Sequence, residues 1–103
     1  EHGLAFSETG IEDLKEISSA AIGAVDHAVA ARQDGGMEDI RQVSKLEDRV
    51  DTLEEEMRDK HIERLSKNEG NPSAGVVFLD ILSNLERISD HAYNVAGYVK
   101  DEL

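Results

Sequence analysis

The sequence predicts an all-α protein, folded as an antiparallel up-down-up bundle of three helices. Its 103 residues include two Phe, two Tyr, no Trp and one Pro, so Ala, Leu, Ile and Val must fill the core. Such a core suits packed helices better than a β-sandwich or barrel. Turn-forming residues cluster at 34–36 and 68–72, and apolar residues recur every three or four positions between these clusters. We therefore expect no strand, and one domain spanning residues 1–103.

The first helix is predicted over residues 7–33. Ser7 or Thr9 provides an N-cap, because either hydroxyl can accept a hydrogen bond from a free backbone N–H of the first turn. Apolar or small residues follow at a spacing of three and four: Ile11, Leu14, Ser18, Ala21, Val25 and Ala28. This spacing predicts one face that packs against the rest of the bundle.

The second helix is predicted over residues 37–67. One apolar stripe runs along it, and its other faces are almost wholly charged. The residues of that stripe are Val43, Leu46, Val50, Leu53 and Met57.

The third helix, predicted over residues 72–101, has the strongest periodic pattern. Pro72 is tolerated in a first turn, where its missing N–H would have no helical partner. The predicted apolar stripe consists of Phe78, Ile81, Leu85, Ile88, Ala92, Val95 and Val99. Because short turns join the three helices, an antiparallel bundle is the simplest packing. Its core is modest for its length, so we expect a homodimer or an attached neighbour.

Charge and composition exclude several classes of function. Eleven basic against 23 acidic side chains give a net charge of -12, which disfavours binding to a nucleic-acid backbone. No apolar run approaches the roughly 20 residues of a transmembrane helix, so direct membrane insertion of this segment is not expected. The absence of Cys excludes disulfides and thiolate metal sites. The chain begins at Glu1 instead of Met, and we expect it to belong to a longer protein.

Carboxylates at helical spacing border the apolar stripes of the second and third helices. Glu47, Asp51 and Glu54 fall on one line of the second helix, and Glu86 with Asp90 repeats the four-residue spacing on the third. Carboxylates gathered in this way repel one another, and a hard cation with oxygen ligands relieves that repulsion. The hypothesis is a metal site. His61, about two turns beyond Glu54, is a weaker accessory candidate.

The alternative is that these carboxylates form a solvated acidic surface. A chain with 33% charged residues contains such pairs by accident, and Arg49, Arg58 or Arg87 can neutralise them. His27 has no evident partner and is interpreted as a surface residue. The sequence lacks a zinc-protease motif, a phosphate loop and the Glu-x-x-His pairs of di-iron proteins, so no enzyme is predicted.

Three segments resemble a known family. Lys60 to Leu65 (KHIERL), Gly75 to His91 (GVVFLDILSNLERISDH) and Asn94 to Ala96 (NVA) occur in this order. They are similar to the PhoU-like domain that follows the membrane part of Na+/phosphate cotransporter family proteins. The resemblance is dense from about residue 43 to residue 96 and weak before residue 35.

The resemblance implies a PhoU-like three-helix bundle whose Glu/Asp-x-x-x-Asp motifs hold metal ions, iron or zinc in some members. Glu47 with Asp51 matches the first motif, and Glu86 with Asp90 matches the second. Glu54 and His61 match no motif position, so these two weaker candidates rest on spacing. PhoU proteins carry two such bundles in tandem, whereas this chain has one.

The implied function is a regulatory domain that modulates phosphate transport at the cytoplasmic face of the plasma membrane. Its expected partner is the membrane-embedded transporter domain of the same protein. The alternative is a free-standing PhoU-like protein or a structural helical adaptor without a metal function.

Overall fold

The computed structural model describes residues 8–66 and 72–102. Within these ranges the chain forms three helices and no strand: α1 (Glu8–Asp34), α2 (Met37–Ser66) and α3 (Pro72–Glu102). The all-α prediction is confirmed, and the described helix ends agree with the predicted ones to within one residue. Ser7 and Lys67, each predicted to lie in a helix, are outside the described residues.

Gly35 ends α1 because it adopts a conformation that most residues avoid. Its φ angle is 66°, in the left-handed region, where a side chain would clash with the backbone. Its N–H donates to the carbonyl of Ala31 at 2.6 Å, which satisfies a carbonyl that the helix leaves free. The Gly36 carbonyl then accepts from the N–H of Ile40 at 3.3 Å in the first turn of α2. Two residues therefore reverse the chain.

Contacts between side chains show the directions of the helices. His27 of α1 pairs with Asp39 near the start of α2, whereas Asp13 pairs with Lys60 near the end of α2. These helices are therefore antiparallel. Each helix packs against both others in a molecule 52 × 24 × 17 Å in extent. This is the predicted up-down-up arrangement.

The core consists of two clusters stacked along the bundle. The first contains Ile17, Ala20, Ala21, Val50, Leu53, Met57, Phe78 and Leu82. The second contains Ala24, Ala28, Ala31, Ile40, Val43, Ala92, Ala96 and Val99. Leu46 packs against both clusters, so it joins them at mid-height. The predicted stripe of α2 accordingly lies in the core, with Leu46 only partly buried.

The stripes predicted for α1 and α3 are wrong at several positions. On α3, Ile88 and Val95 are exposed, while Leu82 and Ser89, which the prediction omitted, are fully buried. The physical reason is that α3 carries two overlapping heptad patterns. Positions 78, 85, 92 and 99 belong to both, and the remaining core positions are either 81, 88 and 95 or 82, 89 and 96. The structure buries the second set.

On α1 too, the buried face is rotated about the helix axis relative to the predicted one. Ile11 and Val25, predicted to be core residues, are exposed, and Ile17 and Ala24 are fully buried instead. Alanines supply most of the buried face of α1, while Ile22 and Val29 point outward. Alanines of α1 and α3 pack in the same core cluster, while several β-branched residues of these helices stay outside it.

Candidate metal centre

The first carboxylate pair lies on the middle of α2, beside the core stripe. Glu47 is half-buried and Asp51 is exposed, one turn apart on the same side of the helix. Glu47 is held near the bundle interior because it lies between two core positions, Val43 and Val50, each fully buried. The local helix therefore keeps one carboxylate close to apolar surroundings and the other in solvent.

The second pair lies on α3, antiparallel to the first. Glu86 is half-buried and Asp90 is exposed, again one turn apart. Glu86 follows Leu85, which packs against the first core cluster, and Asp90 follows the fully buried Ser89. Both pairs thus border the α2–α3 interface, and each combines a half-buried Glu with an exposed Asp.

The charges of the two pairs affect each other across this interface. Burial raises the pKa of Glu47 from an ordinary value of 4.5 to about 7, assisted by a hydrogen bond to Asp51 and by the charges of Asp51, Asp48 and Asp90. The contribution of Asp90 comes from the other helix. Repulsion therefore favours a protonated Glu47 that donates a hydrogen bond to Asp51.

Glu86 experiences the same repulsion from the opposite side. Burial raises its pKa above the ordinary value, and the charges of Asp90, Asp51 and Glu54 raise it further, while Arg87 opposes them. Two of these carboxylates lie on α2. The charges of the two predicted motifs, Glu47 with Asp51 and Glu86 with Asp90, therefore act on each other between α2 and α3.

Glu54, a weaker candidate, is already paired. Its carboxylate accepts hydrogen bonds from the Arg58 guanidinium, with a distance of 2.7 Å from Nε. Arg58 also donates to the Ser83 hydroxyl on α3 at 3.2 Å. Glu54 is therefore neutralised locally and is less suited to bind a cation than the two motif pairs.

His61, the other weaker candidate, lies against the core and not among the carboxylates. Its ring stacks on Phe78 with centroids 4.9 Å apart, and Nε2 is buried without a hydrogen-bond partner in the described chain. Burial, with a smaller contribution from the charge of Arg64, lowers the pKa of His61 below 6.5. No carboxylate contributes to this shift, so the structure does not bring His61 to the motif pairs.

The basic residues of the described chain do not remove the repulsion between the motif pairs, although the charge of Arg87 lowers the pKa of Glu86. Arg49 donates to Glu16 on α1, and Lys60 lies 3.4 Å from Asp13, also on α1. Of the three arginines expected to neutralise the carboxylates, Arg58 forms an ion pair beside the motif pairs, and its partner is Glu54. The α2–α3 carboxylates therefore retain their mutual repulsion.

His27 is a residue whose environment the sequence interpretation missed. Nδ1 lies 2.8 Å from Oδ1 of Asp39, and the pair joins α1 to the first turn of α2. His27 lies at the surface, as predicted, with 39% of its side chain exposed, but it has a partner that the prediction missed. The turn at Gly35 and Gly36 brings the two side chains together, and this reversal was the available signal in the sequence.

The donor set of the motif pairs fits a cation, although it is not assembled around one. The two pairs supply four carboxylates, and carboxylate oxygens are the ligands that hard multivalent cations prefer. Among residues 8–66 and 72–102, however, no three His, Asp or Glu side chains form a group that could hold a metal ion as they stand. Binding would therefore require the side chains to reorient.

Within residues 8–66 and 72–102, no helix is both long and apolar enough to cross a membrane.

Comparison with known proteins identifies one family. The model of the PhoU domain matches residues 14–99, which include all of α2, most of α1 and α3, and both carboxylate pairs. Searches of curated proteins and of solved structures found no match.

Proposed function

This chain belongs to the PhoU domain family, and we propose that it is the regulatory domain of a Na+/phosphate cotransporter-like protein that responds to metal ions. Membership of this family of non-enzymatic helical domains indicates a role in regulating phosphate transport. The transporter context rests on the resemblance of residues 60–65 and 75–96 to the cotransporter family. The metal response rests on the geometry of the two carboxylate pairs.

The observation that carries the metal proposal is the repulsion between carboxylates of two different helices. Across the α2–α3 interface, the charge of Asp90 raises the pKa of Glu47, and the charge of Asp51 raises the pKa of Glu86. A cation bound there would compete with the proton that Glu47 holds in the metal-free protein, since its pKa is raised to about 7. It would also link α2 to α3, because both helices would supply its ligands.

Glu47, Asp51, Glu86 and Asp90 are the residues proposed to hold the ion. The half-buried glutamates and the exposed aspartates would each supply carboxylate oxygens, the ligands that hard cations prefer. Iron and zinc are the ions that the family resemblance suggests. When bound, the metal neutralises the cluster and stabilises one arrangement of the two helices.

In the complete protein, we place this domain at the cytoplasmic face of the plasma membrane, beside the membrane-embedded transporter domain. A change in metal occupancy alters the α2–α3 interface, and this change is the signal that the transporter domain receives. Phosphate itself is repelled by an acidic surface unless a bound cation bridges the two.

Isothermal titration calorimetry with Fe3+ or Zn2+ tests the metal site. We expect binding to the parent chain and a loss of affinity of on the order of 100-fold in the double variant Glu86→Gln with Asp90→Asn, since amides keep the shape but remove the charge. The matched control is Glu55→Gln with Glu56→Gln, two exposed residues of α2 outside the motifs. Equal affinity of the parent and the first variant would contradict the site assignment.

A second candidate function is a helical adaptor without metal. The Glu54–Arg58 pair favours it, because this part of the acidic surface is neutralised by protein groups. In that case neither ion binds the parent chain. Phosphate uptake by cells producing the complete protein would then be unchanged by the Glu86 and Asp90 substitutions, whereas the regulatory proposal requires uptake to change.

A further inference from the structure

Helix α3 carries two overlapping heptad patterns, and the structure uses one of them. The side chains specific to the pattern in use are all buried: Leu82, Ser89 and Ala96. The side chains specific to the unused pattern are Ile81, Ile88 and Val95, and the last two are exposed. A seven-residue repeat keeps one side of a helix against its neighbours. Either pattern would therefore give α3 a continuous buried stripe.

Helix α1 has two overlapping patterns as well, which share positions 14, 21 and 28. The pattern in use adds three fully buried residues: Ile17, Ala24 and Ala31. The unused pattern adds Ile11, Ser18 and Val25, of which the first and last are exposed. The choice between two buried stripes thus exists on both helices.

Side chains of the two unused patterns meet in one groove on the surface of the bundle. Val25 of α1 and Ile88 with Val95 of α3 line this α1–α3 groove, whose volume is about 470 Å3. Their exposed fractions are 36%, 42% and 39%. Since the buried Ala28 and Ala92 line the same groove, these three side chains already border the core.

A small rotation separates the two patterns of each helix. A residue three positions ahead lies about 60° to one side of a given residue, and a residue four ahead lies about 40° to the other. The midlines of the two patterns are therefore about 50° apart. On α3 the pattern in use takes the residues four ahead of the shared positions, and on α1 those three ahead. The two parallel helices would thus rotate in opposite senses.

Opposing contributions to the free energy act on this choice. Ser89 is fully buried, and its Oγ has no hydrogen-bond partner in the described chain, which disfavours the pattern in use. The exposure of Ile88 and Val95 to water also disfavours it. The packing of alanines from both helices in one core cluster favours it, because larger side chains there would force the helices apart.

The carboxylate pair of α3 would move with the rotation. Glu86 and Asp90 interact with carboxylates of α2, whereas Ile88 lies on the side of α3 that borders α1. Turning Ile88 into the core therefore turns Glu86 and Asp90 away from α2, through the same angle. This movement relieves the repulsion between the two carboxylate pairs, and a cation bound by both pairs opposes it.

We propose that α3 has two rotational positions about 50° apart, that α1 rotates with it in the opposite sense, and that metal occupancy selects between them. This inference rests on the metal site proposed above and names how that site regulates. A cation held by both carboxylate pairs keeps α3 in the described position. Without the cation, repulsion turns Ile88 and Val95 inward and Ser89 toward solvent. Metal occupancy between α2 and α3 thereby changes the opposite side of the bundle.

Tryptophan fluorescence measures the burial of residue 88. The chain has no Trp, so Ile88→Trp introduces a single reporter. At pH 8 we expect acrylamide to quench this reporter about twofold or more less strongly with chelator than with saturating Zn2+, because the ring is then buried. The matched control is Tyr98→Trp, at an exposed position outside both patterns. It should be quenched equally in the two conditions.

Neutralising the α3 pair tests the rotation without metal. Adding Glu86→Gln and Asp90→Asn to the Ile88→Trp chain removes the repulsion, so stronger quenching is expected even with chelator. If Zn2+ does not bind the parent chain but this variant shows the stronger quenching, the rotation stands and the metal site is wrong. Equal quenching with chelator, with Zn2+ and after neutralisation overturns the rotation, even if calorimetry shows that Zn2+ binds.

Zinc affinity gives a second measurement of the same equilibrium. Ile88→Asn changes an exposed residue on the side of α3 away from the carboxylate pairs, and it disfavours the position that buries residue 88. We expect it to raise the affinity for Zn2+ by on the order of tenfold, since more of the protein is then competent to bind. The matched control is Val29→Asn, which lines the same groove but belongs to neither pattern. Unchanged or weaker Zn2+ binding by Ile88→Asn would contradict the proposal.

Discussion

Glu47 is the residue whose environment most changes its chemistry. It is half-buried between core positions of α2, accompanied by Asp51 on its own helix and Asp90 on α3. Because burial, assisted by these neighbours, raises its pKa to about 7, the folded protein holds a proton that the unfolded chain releases near pH 4.5. Linkage then makes the stability of the metal-free protein depend on pH.

We predict that the metal-free chain is less stable at pH 8 than at pH 5. A group with a raised folded pKa contributes its stability fully below the unfolded pKa, and this contribution is lost as pH rises through about 7. We expect a loss of roughly 1 to 2 kcal/mol, below the value of the full shift because solvent screens a half-exposed group. Urea denaturation at both pH values with chelator measures it.

The matched variants for this prediction are Glu47→Gln and Glu55→Gln. Removing Glu47 should flatten the pH dependence between pH 5 and 8, whereas the exposed Glu55 should leave it unchanged. Parallel pH profiles for the parent chain and Glu47→Gln would show that this carboxyl does not take up the proton.

At the scale of the element, α3 determines the packing of the bundle. It contributes Phe78, Leu82 and Ser89 to the interior, with Leu85 partly buried beside them. Its two overlapping heptads would each give an amphipathic helix, and the structure uses the one whose unshared positions include the smaller Ser89 and Ala96. This choice leaves an apolar stripe for the outer surface.

We predict that Leu82→Ala destabilises the chain by about 2 to 5 kcal/mol, since it removes a fully buried side chain and leaves a cavity. Leu85→Ala should cost less because Leu85 is only partly buried, and the exposed Asn84→Ala should cost under about 0.5 kcal/mol. Chemical denaturation of the three variants gives the order. A larger loss for Leu85→Ala than for Leu82→Ala would contradict the helix phase described here.

At the scale of the whole molecule, charge is distributed unevenly among the faces of the bundle. Helix α2 and the adjoining edge of α3 concentrate carboxylates, whereas the α1–α3 groove has none among its described lining residues. Repulsion on the first side opposes the hydrophobic burial that holds the bundle together. We propose that a bound cation relieves the repulsion on the first side.

We predict that Fe3+ or Zn2+ raises the melting temperature of the parent chain and that chelation reverses the gain, since a ligand that binds only the folded state stabilises it. Without metal, Glu86→Gln with Asp90→Asn should melt higher than the parent by about 4 to 8 °C for each 1 kcal/mol of repulsion relieved. This variant should no longer respond to metal.

Glu55→Gln with Glu56→Gln is the control for charge in general, because both residues are exposed on α2. It should change neither the metal-free melting temperature nor the metal response appreciably. Equal stabilisation by the two double variants would indicate that net charge, and not a local site, governs the effect.

The sequence by itself determined the three helices, their order and the position of the turn between α1 and α2. Gly35 shows why: its left-handed φ angle is open to a glycine at little cost, so a local rule was enough to end α1. The stripe of α2 was equally predictable. Its remaining faces are charged, so only one orientation of the helix about its axis buries an apolar face. The spacing of Glu47 with Asp51 and of Glu86 with Asp90 likewise follows from the helix alone.

Only the tertiary structure decided which faces of α1 and α3 meet, because both helices carry apolar residues on more than one side. Local periodicity cannot choose between Ile88 and Ser89 when either choice gives a continuous stripe. Close packing of alanines from two helices made the choice, and this depends on residues far apart in the chain. The same packing set the raised pKa of Glu47 and the pairing of His27 with Asp39, since each depends on a neighbouring helix.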